Sequence, residues 1–199
     1  MLQTAHWVNA NFQPTLPNKN KLFGISPQTN LLLYVGRVSK EKGVLELTNI
    51  YETVKQKHIN TKLVIVGKGP ALKQLMSENP DAVFMDWVER EKLPEIYSSA
   101  DMLVLPSRFD TFCNVVLEAL SCGLPVIAYN TKGPKDIIRN GKEGFLVNNQ
   151  QEMQEKIISF LENKDKEKYK SSAIKRAADY NSDNIIDSLM KIVGLYDDE

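Results

Sequence analysis

The sequence is poor in the features that mark secreted, membrane-spanning and nucleic-acid-binding proteins. Its 199 residues include two cysteines, Cys113 and Cys122, whereas small secreted folds held by disulfides carry more. No apolar run approaches the roughly 20 residues that a membrane-spanning helix needs. Lys and Arg (25) balance Asp and Glu (25), so the basic excess typical of nucleic-acid binders is missing. These absences predict a globular protein of a reducing compartment that binds no nucleic acid.

Signals for export and for metal binding are also missing. The N-terminal stretch MLQTAHWVNA has no basic region followed by an apolar core, as a signal peptide would. His6 and His58 lie far from the cysteines in sequence, so no metal site is predicted. We therefore expect a cytoplasmic protein with no metal site built on these residues, and a peripheral contact with the inner face of the membrane stays open.

What the chain does contain is an alternation of short apolar runs with longer amphipathic ones. Residues 1–29 hold three of the nine prolines and show no sustained periodicity, which predicts a linker before one domain at 30–199. Most strand candidates are uninterrupted runs of Val, Ile and Leu, typical of strands covered on both faces. The alternation predicts an α/β fold, a Rossmann-like doubly wound parallel sheet with helices on both faces and a C-terminal helical segment. The predicted strands are 31–35, 62–66, 82–85, 102–105, 125–129 and 145–147, and the predicted helices are 43–57, 70–77, 91–98, 114–122, 134–139, 150–162, 165–179 and 183–196.

Ligands of such sheets bind at the carboxyl ends of the strands, so the loops that follow the strands are the places to search. The first reads GRVSKEKG, in which Gly36 permits close approach of a ligand and Arg37 and Lys42 supply two cations. This pattern is typical of a phosphate site, and a solvated turn with surface charges is the alternative. The loop at Gly67 reads GKGP and by itself indicates a tight strand-to-helix connection.

The loop before the helix at 114–122 is the most informative. That helix is apolar nearly all round and should be buried, yet Glu118 lies in its middle. A buried carboxylate is costly unless it is hydrogen-bonded, and ligand hydroxyls could supply the bonds. Asp110 lies just before the free N–H groups of the helix start, which favour an anion. The alternative makes Asp110 a helix cap and Glu118 a partner for the backbone of a neighbouring strand.

Taken together, these segments resemble the C-terminal donor domain of family 4 glycosyltransferases of the GT-B fold. The resemblance covers nearly the whole chain, from WVNANFQP near the N-terminus through GRVSKEKG, VIVGKGP and SADMLVLPS to GPKDIIRNGKEGFLV. Its most specific part is DTFCNVVLEALSCGLPVIA, in which Asp110 and Glu118 take the two acidic positions of the family's E-x7-E region. The resemblance implies transfer of a sugar from a nucleoside-diphosphate sugar, UDP- or GDP-linked, with retention of anomeric configuration and with no metal or cofactor.

The resemblance also implies roles for individual residues. Arg37 and Lys42 match the pair that clamps the donor diphosphate, Asp110 the acid that contacts the sugar, and Glu118 the acid that binds the ribose. The residues implied in donor binding are Gly36, Gly67, Trp87, Val88, Phe112, Cys113, Asn114 and Val115. Asp110 replaces the usual Glu, and Cys113, Asp86 and Lys132 stand where the family commonly has Gly.

The implied partners are the donor, a glycan or lipid-linked acceptor, and an N-terminal acceptor domain. The chain begins at the family's interdomain segment, so we expect that domain to be missing here and the isolated chain to transfer little.

Two alternatives to the glycosyltransferase function stay open. One is half of a sugar-nucleotide epimerase, which shares the two-domain architecture. The other is a non-catalytic module that binds nucleotide sugars.

Overall fold

A computed structural model describes residues 12–109 and 114–180 of the chain. Within them, six strands form one parallel sheet in the order β3-β2-β1-β4-β5-β6, which is the order of a Rossmann fold. The strands are β1 Asn30–Val35, β2 Thr61–Val66, β3 Val83–Met85, β4 Met102–Leu105, β5 Val126–Tyr129 and β6 Gly144–Val147. Each lies within one residue of its predicted bounds. For the four inner strands the reason is that apolar runs favour strands covered on both faces, whereas the outer strand β3 is only partly buried. The predicted fold class is confirmed.

Helices connect the strands and continue beyond the last of them. They are α1 Lys19–Phe23, α2 Glu46–Lys57, α3 Leu72–Glu78, α4 Leu93–Ser99, α5 Asn114–Ser121, α6 Pro134–Ile137, α7 Gln150–Glu162 and α8 Glu167–Ala178, with 3-10 turns at Lys40–Lys42 and Arg90–Lys92. The helix predicted over 183–196 lies outside the described residues. Where the structure describes the chain, no helix has the length and apolarity to cross a membrane.

The helices cover both faces of the sheet. The connection from β1 to β2 carries α2, and the connection from β4 to β5 carries α5 and runs in the opposite direction across the sheet. Because crossover connections between parallel strands are right-handed, these two helices lie on opposite faces. The C-terminal helices divide between the faces, since α7 packs on α2 and α8 packs on α5. Met153, Ile157 and Phe160 of α7 are buried, as their helical spacing predicts.

The segment before β1 is more structured than its sequence suggested. It contains the short helix α1. Asn18 caps its N-terminus, with a side chain that accepts a hydrogen bond from the Lys21 amide, and Gly24 caps its C-terminus in the left-handed region. Five residues with one buried side chain show no periodicity, so pattern analysis missed the helix. The segment is tied to the domain, since the amides of Thr15 and Asn18 donate to hydroxyls on α4 at 3.0 and 2.9 Å.

The start of α2 also differs from the prediction of one helix over 43–57. The chain first forms the 3-10 turn Lys40–Lys42 and then passes through Gly43 at φ 68° before α2 begins at Glu46. A Cβ at Gly43 would lie 2.0 Å from the Pro106 carbonyl oxygen, so this turn is pressed against the loop that follows β4. The contact brings the first and fourth post-strand loops together.

Candidate functional site

The point where the strand order reverses, between β1 and β4, carries a cleft at the carboxyl ends of the strands. The cleft has a volume of about 580 Å³, and its lining residues come from the loops after these two strands and from the first turn of α2. They are Lys40, Glu41, Lys42, Gly43, Glu46, Pro106, Arg108 and Phe109. This is the place where open parallel sheets bind their ligands.

The two predicted cations of the first loop are placed differently. Lys42 lies in the 3-10 turn and forms part of the cleft wall. Arg37 lies earlier on the same loop with an exposed side chain, and its carbonyl accepts a 2.8 Å hydrogen bond from the Tyr34 hydroxyl. Buried Val38 anchors the loop between them, because its amide donates to the Lys68 carbonyl and its carbonyl accepts from the Ala71 amide. The first two post-strand loops are therefore bound to each other beside the cleft.

The glycines of these loops serve this packing. Gly67 has a φ of 143°, and a Cβ there would lie 2.0 Å from the carbonyl oxygen of Gly36. The loop at Gly67 thus forms the tight strand-to-helix connection that the sequence indicated. Gly67 is needed there because its backbone packs directly against the backbone of the neighbouring loop at Gly36. The structure places Gly36 and Gly67 at the edge of the sheet that carries the cleft.

We expect Gly67→Ala to lower the free energy of unfolding by about 1–3 kcal/mol, because the new methyl group meets the Gly36 carbonyl at a strained φ. Gly24→Ala is the matched control, since Gly24 also has a positive φ but open space around its Cβ position. Urea denaturation of both variants measures the difference. Equal stabilities would contradict the steric argument.

Glu118 lies in α5 with a side chain that is 12% exposed, as expected for a carboxylate in the middle of a buried helix. Its partners among the described residues are two side chains. The Tyr97 hydroxyl donates to Oε2 at 3.0 Å, and the Arg90 Nη2 donates to Oε1 at 3.1 Å. The alternative that Glu118 binds a strand backbone is therefore wrong, because α4 and the turn before it supply the donors. Burial raises the pKa of Glu118, and the Tyr97 hydrogen bond and the Arg90 charge oppose that rise.

A second group of interacting side chains, which sequence analysis missed, lies at the cleft. The Arg108 guanidinium lies over the Tyr129 ring, 4.0 Å from its centre, and Nε is 3.5 Å from Oε1 of Glu46. The Tyr129 hydroxyl in turn donates to the other oxygen of Glu46. Burial, followed by the bond to Glu46, raises the pKa of Tyr129. These three residues come from α2, from the loop after β4 and from β5, so no local sequence pattern could predict their contacts. The one available signal was the position of Arg108 in a loop that follows a strand.

Trp87 and Val88 follow β3 on the same edge of the sheet. Trp87 is 78% exposed, and its amide donates to Oδ1 of the preceding Asp86 at 2.7 Å. Val88 is partly buried and packs on the core. Asp86 pairs with Lys68 of the second loop at 2.9 Å. An exposed indole beside a post-strand loop is available to stack on a planar ligand.

The start of α5 is described only from Asn114 onward. Asn114 is exposed and Val115 is partly buried at its first turn. Asp110, Phe112 and Cys113 lie outside the described residues, so their predicted roles stay predictions.

The two cysteines should differ sharply in reactivity. Cys122 is 2% exposed, and burial together with the Glu118 charge raises its pKa to about 12, so its thiolate is scarce at neutral pH. Cys113 precedes a helix start, where the positive end of the helix favours a thiolate. We expect iodoacetamide to modify Cys113 well before Cys122, and UDP or GDP to protect Cys113. Mass spectrometry of the native protein measures both the modification rate of each cysteine and the protection of Cys113 by the nucleotide. Equal rates with and without saturating nucleotide would remove Cys113 from the phosphate pocket.

Comparison with known proteins places this chain in a family. Residues 17–178 match the family described as glycosyl transferases group 1. A GDP-mannose-dependent alpha-mannosyltransferase of Corynebacterium glutamicum is 39% identical over 114 residues, which are 57% of this chain and 26% of that protein. A sulfoquinovosyl transferase of Arabidopsis thaliana is 37% identical over 128 residues, 61% of this chain and 24% of that protein. The chain thus spans about a quarter of the length of these curated relatives.

Solved structures share the fold at low identity. The C-terminal domain of a glycosyl transferase group 1 family protein from Francisella tularensis aligns with a TM-score of 0.74 and 19% identity, over 86% of this chain and 96% of that one. The Anabaena protein HepE, solved with UDP and glucose, aligns with a TM-score of 0.78 and 20% identity, over 94% of this chain and 54% of that one. Since the family match covers more than half of the residues, the chain belongs to the glycosyl transferases group 1 family.

Proposed function

We propose that this chain is the donor-binding part of a retaining glycosyltransferase, which transfers a sugar from a nucleoside-diphosphate sugar to a glycan, lipid or other acceptor. The observation that carries the proposal is the cleft between the loops after β1 and β4. Its wall holds three cations, Lys40, Lys42 and Arg108, and two carboxylates, Glu41 and Glu46. Its volume of about 580 Å³ is within the usual range for small-ligand sites, about 300–1,000 Å³. Cations at this edge of a parallel sheet suit the diphosphate of such a donor.

The chemistry explains why cations are needed. During transfer, the bond between the anomeric carbon and the diphosphate oxygen breaks, and the electron pair stays on the diphosphate as negative charge. The acceptor hydroxyl forms the new bond to that carbon on the same face of the sugar and gives up its proton. An oxygen of the leaving diphosphate takes that proton. In this proposal Arg37, Lys42 and the amides at the start of α5 stabilise the leaving diphosphate, so that no metal or cofactor is required.

The remaining residues bind the other parts of the donor. Glu118 accepts hydrogen bonds from the ribose hydroxyls, and Asp110 contacts the sugar. Trp87 and Val88 flank the nucleobase, while the glycines of the first two loops let the backbone come close to the phosphates. These roles follow the resemblance to family 4 enzymes, and the positions of Trp87 and the two glycines at the carboxyl ends of the strands support them.

The named relatives support a donor of this class. The Corynebacterium protein is named as GDP-mannose-dependent, and HepE was solved with UDP and glucose. We propose UDP or GDP as the nucleotide on this ground. Because the chain spans about a quarter of the curated relatives, we also propose that the acceptor is bound by a further domain and that this chain alone transfers little.

Two measurements test the proposal. Titration calorimetry of the chain with UDP, GDP and ADP, each free and as a glucose or mannose conjugate, should give binding to at least one of the UDP or GDP series. Incubation of the chain together with an acceptor domain and a donor labelled at the anomeric carbon, followed by NMR, should give a glycoside with the donor's anomeric configuration. Inversion at that carbon, or a changed sugar still attached to the nucleotide, would overturn the proposal in favour of an inverting transferase or an epimerase.

A further inference from the structure

Arg90 occupies an unusual position between the N-terminal segment and the buried acid of α5. It lies in the 3-10 turn that follows β3, with a side chain 55% exposed. On one side Nη2 donates to Oε1 of Glu118 at 3.1 Å. On the other, the guanidinium carbon is 5.4 Å from the centre of the Phe12 ring, within the range of a cation–π contact. The guanidinium is therefore held from two directions.

Tyr97 completes the arrangement from α4. Its hydroxyl donates to Oε2 of Glu118 at 3.0 Å, and its ring centre is 6.2 Å from that of Phe12 at an angle of 57°. Both donors to Glu118 thus pack on the Phe12 ring, which is itself only 5% exposed. The N-terminal segment, the stretch from Arg90 to Tyr97 and α5 thus meet around the Glu118 carboxylate.

The hydrogen-bonding capacity of that carboxylate is only partly used. An ionised carboxylate offers about four acceptor positions and no donor. Arg90 and Tyr97 take one position on each oxygen, as seen among the described residues. The remaining capacity matches a vicinal diol, which donates two hydrogen bonds from neighbouring hydroxyls. The ribose of a nucleotide carries such a diol.

We propose that Arg90 is a positioning residue for nucleotide binding: held between Phe12 and Glu118, it fixes the direction in which the Glu118 carboxylate faces the ribose hydroxyls. The inference rests on the proposed ribose contact of Glu118 and adds to it a residue that family resemblance does not assign. It also links the N-terminal segment to the nucleotide site, since Phe12 is the surface on which Arg90 rests.

The charge of Arg90 has a second effect that makes the inference testable. Burial raises the pKa of Glu118, and Arg90 counters the rise, while Tyr97 faces the same carboxylate from α4 and Cys122 from the end of α5. Without Arg90 the pKa of Glu118 moves further upward. A protonated Glu118 loses acceptor capacity, so nucleotide affinity should then fall as the pH is lowered.

The test measures the binding of UDP and GDP to the full chain by calorimetry at about pH 8 and about pH 6, because a further rise in the pKa of Glu118 favours its protonation at the lower pH. Because the terminal phosphate of the ligand also titrates at about pH 6, the quantity compared is the ratio of variant to wild-type Kd at each pH. We expect Arg90→Gln to weaken binding about threefold at the higher pH and by a larger factor at the lower. Arg90→Lys keeps the charge and should restore a ratio that is constant with pH.

Lys92→Gln is the matched control, since it removes the same charge from the same turn, where Lys92 pairs with exposed Glu89 at 2.7 Å. It should change the affinity by no more than about twofold at either pH. If Arg90→Gln behaves like Lys92→Gln, or weakens binding by a factor that does not change with pH, the positioning role is overturned. Glu118→Gln separates this failure from that of the proposed function: wild-type affinity in that variant would remove the ribose contact itself.

Discussion

Replacement of Arg37 and Lys42 together by alanine is expected to abolish measurable binding of nucleoside diphosphates while the domain stays folded. Each charge-assisted bond to phosphate contributes about 1.5–3 kcal/mol, so loss of both should weaken binding by roughly 10²–10⁴-fold. Arg37 is exposed and Lys42 lies in a cleft wall outside the hydrophobic core. Stability should therefore change by no more than about 0.5 kcal/mol.

The single variants and one control make this result interpretable. Lys57→Ala removes an exposed cation at the far end of α2, which lies at the opposite edge of the sheet from the cleft. Calorimetry with UDP and GDP should give wild-type affinity for Lys57→Ala and a loss for each single variant. Since Lys42 lines the cleft and Arg37 lies outside its lining, the Lys42 loss should be the larger. Wild-type affinity in both single variants would remove the diphosphate clamp.

Glu118→Ala is expected to weaken UDP and GDP binding alike, by about 10–100-fold, because the ribose hydrogen bonds to a charged acceptor are common to both ligands. The same change removes the acceptor of the buried Tyr97 hydroxyl and the partner of Arg90, so it should also lower the free energy of unfolding by about 1–3 kcal/mol. Glu118→Gln keeps an acceptor and the side-chain volume, and it should bind weakly while remaining closer to wild-type stability.

Comparison with Asp110→Ala assigns the two acids to different parts of the donor. Asp110 is predicted to contact the sugar, so its loss should matter for a nucleotide sugar and leave free UDP or GDP binding within about twofold. Calorimetry with both kinds of ligand, and thermal melting as the stability readout, separates the roles. An equal loss with free nucleotide would make Asp110 a helix cap. An unchanged nucleotide affinity in Glu118→Ala would leave that residue with a structural role only.

The secondary structure was predictable where one local pattern acted alone. The runs that became β1, β2, β4 and β5 are mostly apolar and almost entirely buried, and burial on both faces is the arrangement that such strands favour. The start of α2 was not predictable, because Gly43 takes a left-handed conformation to fit the Pro106 carbonyl from a loop distant in sequence. The short helix α1 was missed for a related reason: its one buried side chain, Phe23, is held by the rest of the domain and not by helical periodicity.

The sequence by itself determined the parallel sheet, and it predicted the edge at which a ligand binds, with Arg37, Lys42, Asp110 and Glu118 as candidate residues. These follow from hydrophobic periodicity and from the rule that ligands bind beyond the carboxyl ends of parallel strands. Only the tertiary structure decided which side chains meet there. Arg90 and Glu118 are 28 residues apart, and Tyr129 and Glu46 are 83 apart. Such pairs depend on side-chain direction and packing between elements, which no local pattern encodes, and they determine how the carboxylates of Glu118 and Glu46 are held.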